Sequence, residues 1–202
     1  MIHLIDVGWA QLTGISAADW LAIITGVGYA LLAVRRSRWC WLVGASSSLV
    51  LIYVAFRSAL PMQGALQVFY VAMSIYGFWR WSQTGEARSF RITRWPLQWH
   101  VGWVLVCVVV SWSIGPWLSR YSAAAWPRLD TIVMLGSLLA TWMTAQGKLE
   151  NWAYWIVIDL ASVYLYYVQA AVGAALLYAL YVAIAVSGLV AWSAQYRTQS
   201  RP

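Results

Sequence analysis

The chain is a succession of apolar runs separated by short polar joints. Crossing the roughly 30 Å hydrocarbon core of a bilayer takes about 20 mostly apolar helical residues. Seven runs meet that requirement: Ala17–Val34, Trp39–Phe56, Pro61–Trp81, Leu97–Trp117, Arg128–Ala145, Asn151–Gln169 and Val172–Trp192. The joint between the last two is a few residues around Gly173, and Pro61 opens the third run, where its missing amide hydrogen costs least. Both joints read as tight hairpins. Longer connections follow the third run (Ser82 to Trp95) and the fourth (Leu118 to Pro127), and neither has the length of a soluble domain. The pattern predicts an all-α integral membrane protein, with seven transmembrane helices in a single membrane domain over residues 1–202.

Composition sharpens this picture. Hydrophobic residues make up 62% of the chain and charged residues 9%, against about a quarter charged in soluble domains. Sixteen tryptophans and twelve tyrosines exceed the needs of an ordinary core; such rings concentrate at membrane interfaces and in ligand pockets. Cys40 and Cys107 stand far apart with no neighbour at metal or redox spacing, so they read as packing residues, and no metal or cofactor is expected. The first sixteen residues hold no Lys or Arg and no compact apolar core before a small-residue cleavage site, so no cleaved signal peptide is expected.

The formal charge of +7 comes from residues in the joints rather than from a basic tail, which points to membrane topology and away from nucleic acid. With the N-terminus outside, one face receives Arg35, Arg36, Arg38, Arg80, Arg88, Arg91, Arg94, Lys148, Arg197 and Arg201, and the other receives Arg57, Arg120 and Arg128. Because cytoplasmic loops collect Lys and Arg, the first set is predicted cytoplasmic, with the C-terminus on the same side.

The chain also resembles itself. An offset of 111 positions aligns Asp19 with Asp130, Trp41 with Trp152, Tyr53 with Tyr164 and Ala59 with Ala170. The same register pairs Tyr70-Val71-Ala72 with Tyr181-Val182-Ala183, Gly77 with Gly188, and Trp81-Ser82 with Trp192-Ser193. Rare residues in one gapless register indicate a duplicated architecture, and carriers built that way bind solute between the copies near the bilayer midplane. The predicted arrangement is 3+1+3: a three-helix unit over 17–82, a linker helix over 97–117 and a second unit over 128–196. The linker restores parallel orientation, so the two units are related by an axis along the membrane normal.

Several residues interrupt the apolar pattern. Asp159 lies in the middle of the sixth run, where a carboxylate costs a few kcal/mol unless it faces the protein interior or water. Asn151, Trp155 and Asp159 recur every four residues and share one helical face, with Ser162 beyond them. This face reads either as solute-binding or as an Asp bonded to a Ser or Tyr of a neighbouring helix. On the third run Gln63, Gln67, Tyr70, Ser74, Gly77 and Trp81 form a stripe unsuited to lipid, and such stripes also serve as helix-helix contacts. Its counterpart on the seventh run is Tyr178, Tyr181, Ala185, Gly188 and Trp192.

Trp41 and Trp152 are candidates for the site and equally for interfacial anchors, Trp41 more for the second role. Ser46-Ser47-Ser48 either supply hydroxyls to a path or bond back to their own helix. Asn151, Trp155 and Asp159 fall opposite Cys40, Gly44 and Ser48 under the offset, and Gln67 opposite Tyr178. One asymmetric site weighted toward spans three, six and seven is therefore expected. An aromatic cavity with one carboxylate, a few amides and no deep Lys or Arg suits a flat, neutral or weakly cationic organic solute with hydroxyls; it is unsuited to phosphates.

The segment Leu149-Glu150-Asn151-Trp152-Ala153-Tyr154-Trp155, followed by Asp159 and Tyr164, with Tyr70 and Tyr76-Gly77-Phe78-Trp79-Arg80-Trp81, resembles the PnuC family of bacterial nicotinamide riboside transporters. The resemblance covers essentially the whole chain. It implies a SWEET-like fold, a homotrimer in the bacterial inner membrane, and facilitated diffusion of nicotinamide riboside with trapping by cytoplasmic phosphorylation. The residues expected to bind substrate are Gln67, Tyr70, Asn151, Trp152, Trp155, Asp159, Ser162, Tyr178, Tyr181 and Trp192. Relatives carrying thiamine, riboflavin or deoxynucleosides share the architecture, so these substrates and proton coupling stay open. A retinal photoreceptor would need a lysine in its last span, but the one lysine, Lys148, opens the sixth. Enzymatic activity is not expected, since His3 and His100 are isolated near span ends.

Overall fold

A computed structural model describes residues 16–57, 61–83, 91–121 and 126–199. His3, the N-terminal stretch, Ala59, Arg88, Arg201 and Pro202 lie outside the described residues, as do the side chains of Gln63, Trp117 and Arg120. Seven helices follow the apolar runs: α1 (Ala17–Val34), α2 (Trp39–Arg57), α3 (Pro61–Ser82), α4 (Leu97–Tyr121), α5 (Pro127–Gln146), α6 (Asn151–Val168) and α7 (Val172–Gln199). The helix α7 runs past Trp192, where its apolar run stops, because hydropathy marks the edge of the bilayer and not the end of helical hydrogen bonding.

By length and composition α1, α2, α7 and the Leu97–Ile114 part of α4 are apolar enough to cross a membrane. The other three helices carry Gln67 and Ser74 (α3), Thr131, Ser137, Thr141 and Thr144 (α5), and Asn151, Asp159 and Ser162 (α6), all buried. Polar side chains turned toward other helices lower a helix's hydropathy without meeting lipid.

Helix-helix packing closes a ring in the order α1, α2, α3, α5, α6, α7 and back to α1, while α4 packs chiefly on α5. On α4, Leu97, Val109 and Trp112 are exposed. An outward apolar face of this kind needs lipid or another chain for solvent.

Local chemistry sets the helix ends. Ser16 caps α1 in a reciprocal capping box with Asp19. At the other end of α1, Arg36 takes a left-handed backbone (φ 56°), with Arg36 N–H donating to Ala33 O and Ser37 N–H to Leu32 O. The end of α5 repeats this closure at Gly147 (φ 69°), with Gly147 N–H to Thr144 O and Lys148 N–H to Met143 O. The α6–α7 joint turns at Gln169–Ala171, not at Gly173: Ala170 takes the left-handed position (φ 57°), and Gly173 lies inside the first turn of α7.

Residues paired by the 111-residue offset make matching contacts. Trp41 lies on Gly77 and Trp152 on Gly188, each so close that a Cβ would overlap the indole. Trp41 and Trp81 meet edge to face at 5.3 Å, and Trp152 and Trp192 at 5.5 Å. The outer indoles then cross over: Trp81 Nε1 donates to Ala145 O of α5 and Trp192 Nε1 to Val34 O of α1, both at 3.1 Å. Trp81 and Trp192 touch each other at 6.4 Å. Four tryptophans thus form one buried layer at the helix ends that adjoin Arg35, Arg36, Arg38, Arg80 and Lys148. Trp41, expected as an interfacial anchor, is 1% exposed; the glycine opposite it removes the obstacle to burying so large a ring.

Candidate substrate cavity

On one side of the tryptophan layer a cavity of about 240 Å³ opens inside the six-helix ring. From α1 come Gly26, Tyr29, Ala30 and Ala33; from α2, Trp41, Gly44, Ser47, Ser48 and Leu51; from α3, Gln67, Tyr70 and Ser74. Thr141 and Thr144 of α5, Trp152, Trp155 and Asp159 of α6, and Tyr178, Tyr181, Ile184 and Ala185 of α7 complete the wall. The helix α4 contributes nothing.

Seven of the ten predicted residues line this space: Gln67, Tyr70, Trp152, Trp155, Asp159, Tyr178 and Tyr181. The other three are used elsewhere. Ser162 donates to Ile158 O of its own helix at 2.9 Å, and Trp192 sits behind Trp152 with its indole bonded to Val34 O. Asn151 is fully buried below the cavity floor: its Oδ1 accepts from Thr144 Oγ1 at 3.1 Å and its Nδ2 donates to Lys148 O at 2.6 Å. The single Thr144 hydroxyl hydrogen is shared between Asn151 Oδ1 and Ala140 O, 2.8 Å away, and Oγ1 accepts from Trp155 Nε1 at 3.5 Å. Asn151 therefore holds Thr144, and through it Trp155, instead of facing the cavity. Of the three serines on α2, Ser46 bonds back to Val43 O, Ser47 reaches Ala22 O of α1, and Ser48 lines the cavity with Ser47.

Asp159 is 4% exposed and is the one acidic or basic side chain in the lining. Among the described residues no hydrogen bond or ion pair engages its carboxylate, which stands within electrostatic reach of Tyr178 and Tyr181. Tyr178 stacks on Tyr166 (5.2 Å, 14°) and meets Tyr181 edge-on at 5.9 Å. Tyr181 extends its hydroxyl over Gly26, where a Cβ would lie 2.5 Å away. A carboxylate without a cationic partner in an aromatic shell is a site for a positive charge, because ring faces and the carboxylate both favour one.

The lining reaches beyond spans three, six and seven. Tyr29, Gly26, Gly44, Thr141 and Thr144 were not anticipated. Tyr29 fills the space that Gly44 vacates, since a Cβ at Gly44 would sit 2.8 Å from the Tyr29 ring. In the other half the offset places Trp155 at the Gly44 position and Ala140 at the Tyr29 position. One half builds its aromatic wall from the first helix and the other from the second; this large-for-small exchange was the signal that marks Tyr29.

A ring of membrane helices around a polar, aromatic cavity defines a carrier of small organic solutes. The chain belongs to the family described as nicotinamide mononucleotide transporter, which matches residues 16–194, and this membership makes it a multi-pass bacterial membrane protein with a transport role rather than an enzymatic one. It is 26% identical over 189 residues to the riboflavin/roseoflavin transporter RibM of Streptomyces davaonensis, covering 92% of this chain and 88% of that one. It is also 26% identical over 219 residues to the nicotinamide riboside transporter PnuC of Escherichia coli, covering 95% and 90%. A crystal structure of the vitamin B3 transporter PnuC shares the fold, with a TM-score of 0.73 at 22% identity over 98% of this chain and 92% of that one.

Proposed function

We propose that this protein carries nicotinamide riboside across the bacterial inner membrane by facilitated diffusion, with phosphorylation in the cytoplasm trapping the solute. The observation that carries the reading is the unpaired Asp159 carboxylate in a cavity walled by Tyr29, Tyr70, Trp155, Tyr178 and Tyr181. A pyridinium ring supplies the missing positive charge, and Gln67, Ser74 and Thr141 are available to ribose hydroxyls and the carboxamide. The absence of Lys or Arg from the lining disfavours a phosphorylated solute, because a phosphate would be desolvated without a counter-charge. Riboflavin is the second reading, favoured by the equal identity to RibM; a flavin is neutral and leaves Asp159 without a counter-charge. Thiamine, a deoxynucleoside and proton coupling at Asp159 are the remaining alternatives.

The matched contacts across the offset support two parallel three-helix units, 17–82 and 128–196, joined by the linker helix 97–117. The exposed apolar face of α4 is compatible with a homotrimer. The clustered basic residues support an outside N-terminus and a cytoplasmic C-terminus, so the tryptophan layer would close the cavity on the cytoplasmic side. A reporter fused at Pro202 that behaves as periplasmic would contradict that orientation.

The deciding experiment is purification without added ligand, mass spectrometry of whatever accompanies the protein, and titration with nicotinamide riboside, thiamine and riboflavin. Nicotinamide riboside is expected to bind; its failure while another vitamin binds overturns the substrate. At an effective dielectric near 20, a carboxylate about 6–8 Å from the pyridinium charge contributes about 2–3 kcal/mol, so Asp159→Asn should weaken nicotinamide riboside roughly thirty- to hundredfold and leave its neutral, reduced form nearly unaffected. Equal losses for both forms would remove the charge argument. Flux into vesicles that survives a collapsed proton gradient separates uniport from proton coupling.

A further inference from the structure

A second recess, of about 460 Å³, lies on the face that carries the basic joints. Arg80 at the end of α3, Arg91 of the following segment and Lys148 after α5 converge on it, together with Gln83, Thr93 and the ring of Trp79. Among the described residues the lining contains no carboxylate. The nearby Glu150 is already engaged: Arg94 Nε lies 3.1 Å from its Oε1, and the backbone N–H of Trp95 donates to its Oε2 at 3.1 Å.

The convergence is built by the fold. Thr93 and Lys148 form a parallel bridge, in which Thr93 N–H donates to Gly147 O at 3.0 Å and Leu149 N–H to Thr93 O at 2.9 Å. Ile92, one residue away, is buried and donates its N–H to Gln199 Oε1 at 3.1 Å. These bonds pin Arg91 beside Lys148, although residues in a free loop would let the two repel each other apart. Topology asks for basic residues on this face; it does not ask for three of them around one recess whose described lining holds no acid.

We propose that this recess binds a phosphate-bearing anion. Three cations and the hydrogen-bonding groups of Thr93 and Gln83 suit the oxygens of a phosphate group. Trp79 is 57% exposed at the rim, an amphipathic ring of the kind that sits at headgroup level, and this favours an acidic phospholipid over a soluble phosphate. Basic recesses between membrane helices take such headgroups. The site is independent of the solute carried in the central cavity.

The test uses the full chain in neutral detergent, with native mass spectrometry against phosphatidylglycerol and phosphatidylcholine, and titration with inorganic phosphate and pyrophosphate. Phosphatidylglycerol is expected to bind at least tenfold tighter than phosphatidylcholine. Arg80→Gln/Arg91→Gln/Lys148→Gln should abolish that preference, while Arg35→Gln/Arg38→Gln/Arg197→Gln, which removes the same charge from the same face outside the recess, should keep it within threefold. Binding of free phosphate or pyrophosphate, lost only in the first variant, would identify a soluble source for the same site. Absence of binding from either source, or equal losses in both variants, overturns the proposal. If the first triple variant fails to elute as a monodisperse species, Arg91→Gln alone decides, with a threefold loss or more expected.

Discussion

Replacing Gly188 by alanine tests one of the close glycine–tryptophan approaches that hold the fold together. The added Cβ would lie 2.6 Å from three ring atoms of Trp152, against an optimum of about 3.5–4.0 Å, so the indole must retreat by about 1 Å. Trp152 is buried and edge-on to Trp192 at 5.5 Å, so the indole can retreat only toward its open side, the cavity floor. Overpacking of this kind costs about 1–3 kcal/mol. At about 2–4 °C per kcal/mol for a chain of this length, the Tm in detergent should fall by about 2–12 °C. Affinity for nicotinamide riboside should fall too, because the displaced ring moves a wall of the site.

Gly102→Ala is the internal control: nothing lies within 4 Å of its Cβ, and in mid-helix alanine is favoured by about 0.5–1 kcal/mol, so Tm should rise slightly. Adding Trp152→Phe to Gly188→Ala should return part of the lost stability. A fluorescence-based thermal scan of the unaltered protein, Gly188→Ala, Gly102→Ala, Trp152→Phe and the double variant decides the matter. If Gly188→Ala and Gly102→Ala shift Tm alike, or Trp152→Phe adds its own loss independently, the close approach is not a stabilising contact.

Other outcomes follow from the same geometry. Trp81→Phe and Trp192→Phe each leave a buried carbonyl without its indole donor, which costs about 1–3 kcal/mol; thermal scans should show both losses. Gly147→Ala places a side-chain-bearing residue in the left-handed backbone that closes α5 (φ 69°), at a cost of about 1–2 kcal/mol, and should lower Tm. Asn151→Ala removes the partner of Thr144 and Lys148 O, so binding should weaken although Asn151 does not touch the cavity. Unchanged titration curves for that variant would confine Asn151 to holding the α5–α6 turn through Lys148 O.

The helices were legible because a bilayer imposes one length and one polarity on every span, and the predicted starts of α1, α2, α3, α4, α6 and α7 match the observed ones. Asp159 and Gln67 were legible for the opposite reason: each breaks an apolar run at a depth where a polar group needs a destination. Tyr29 and Thr144 were not, because both are ordinary residues within a membrane helix, and only their partners, Gly44 and Asn151, give them a role. Trp192 looked like a binding residue since it ends the aromatic stripe of α7. Its position behind Trp152 depends on a carbonyl 158 residues away, and no local pattern encodes that distance. Gly173 misled for a related reason, as the turn before α7 is set by a closure that Ala170 tolerates.

The crossed indole bonds also bear on how the chain is made. Trp81 leaves the ribosome before its acceptor Ala145, and the carbonyl of Val34 waits for Trp192, near the end of the last helix. A nascent chain that has inserted only α1 to α3 therefore lacks the acceptor that Trp81 Nε1 uses and the donor that Val34 O receives in the folded protein. Neither half is a finished object in the membrane. The protein becomes one only when α7 arrives, and a chain cut before Trp192 should be recognised by membrane quality control as incomplete however many of its spans have already inserted.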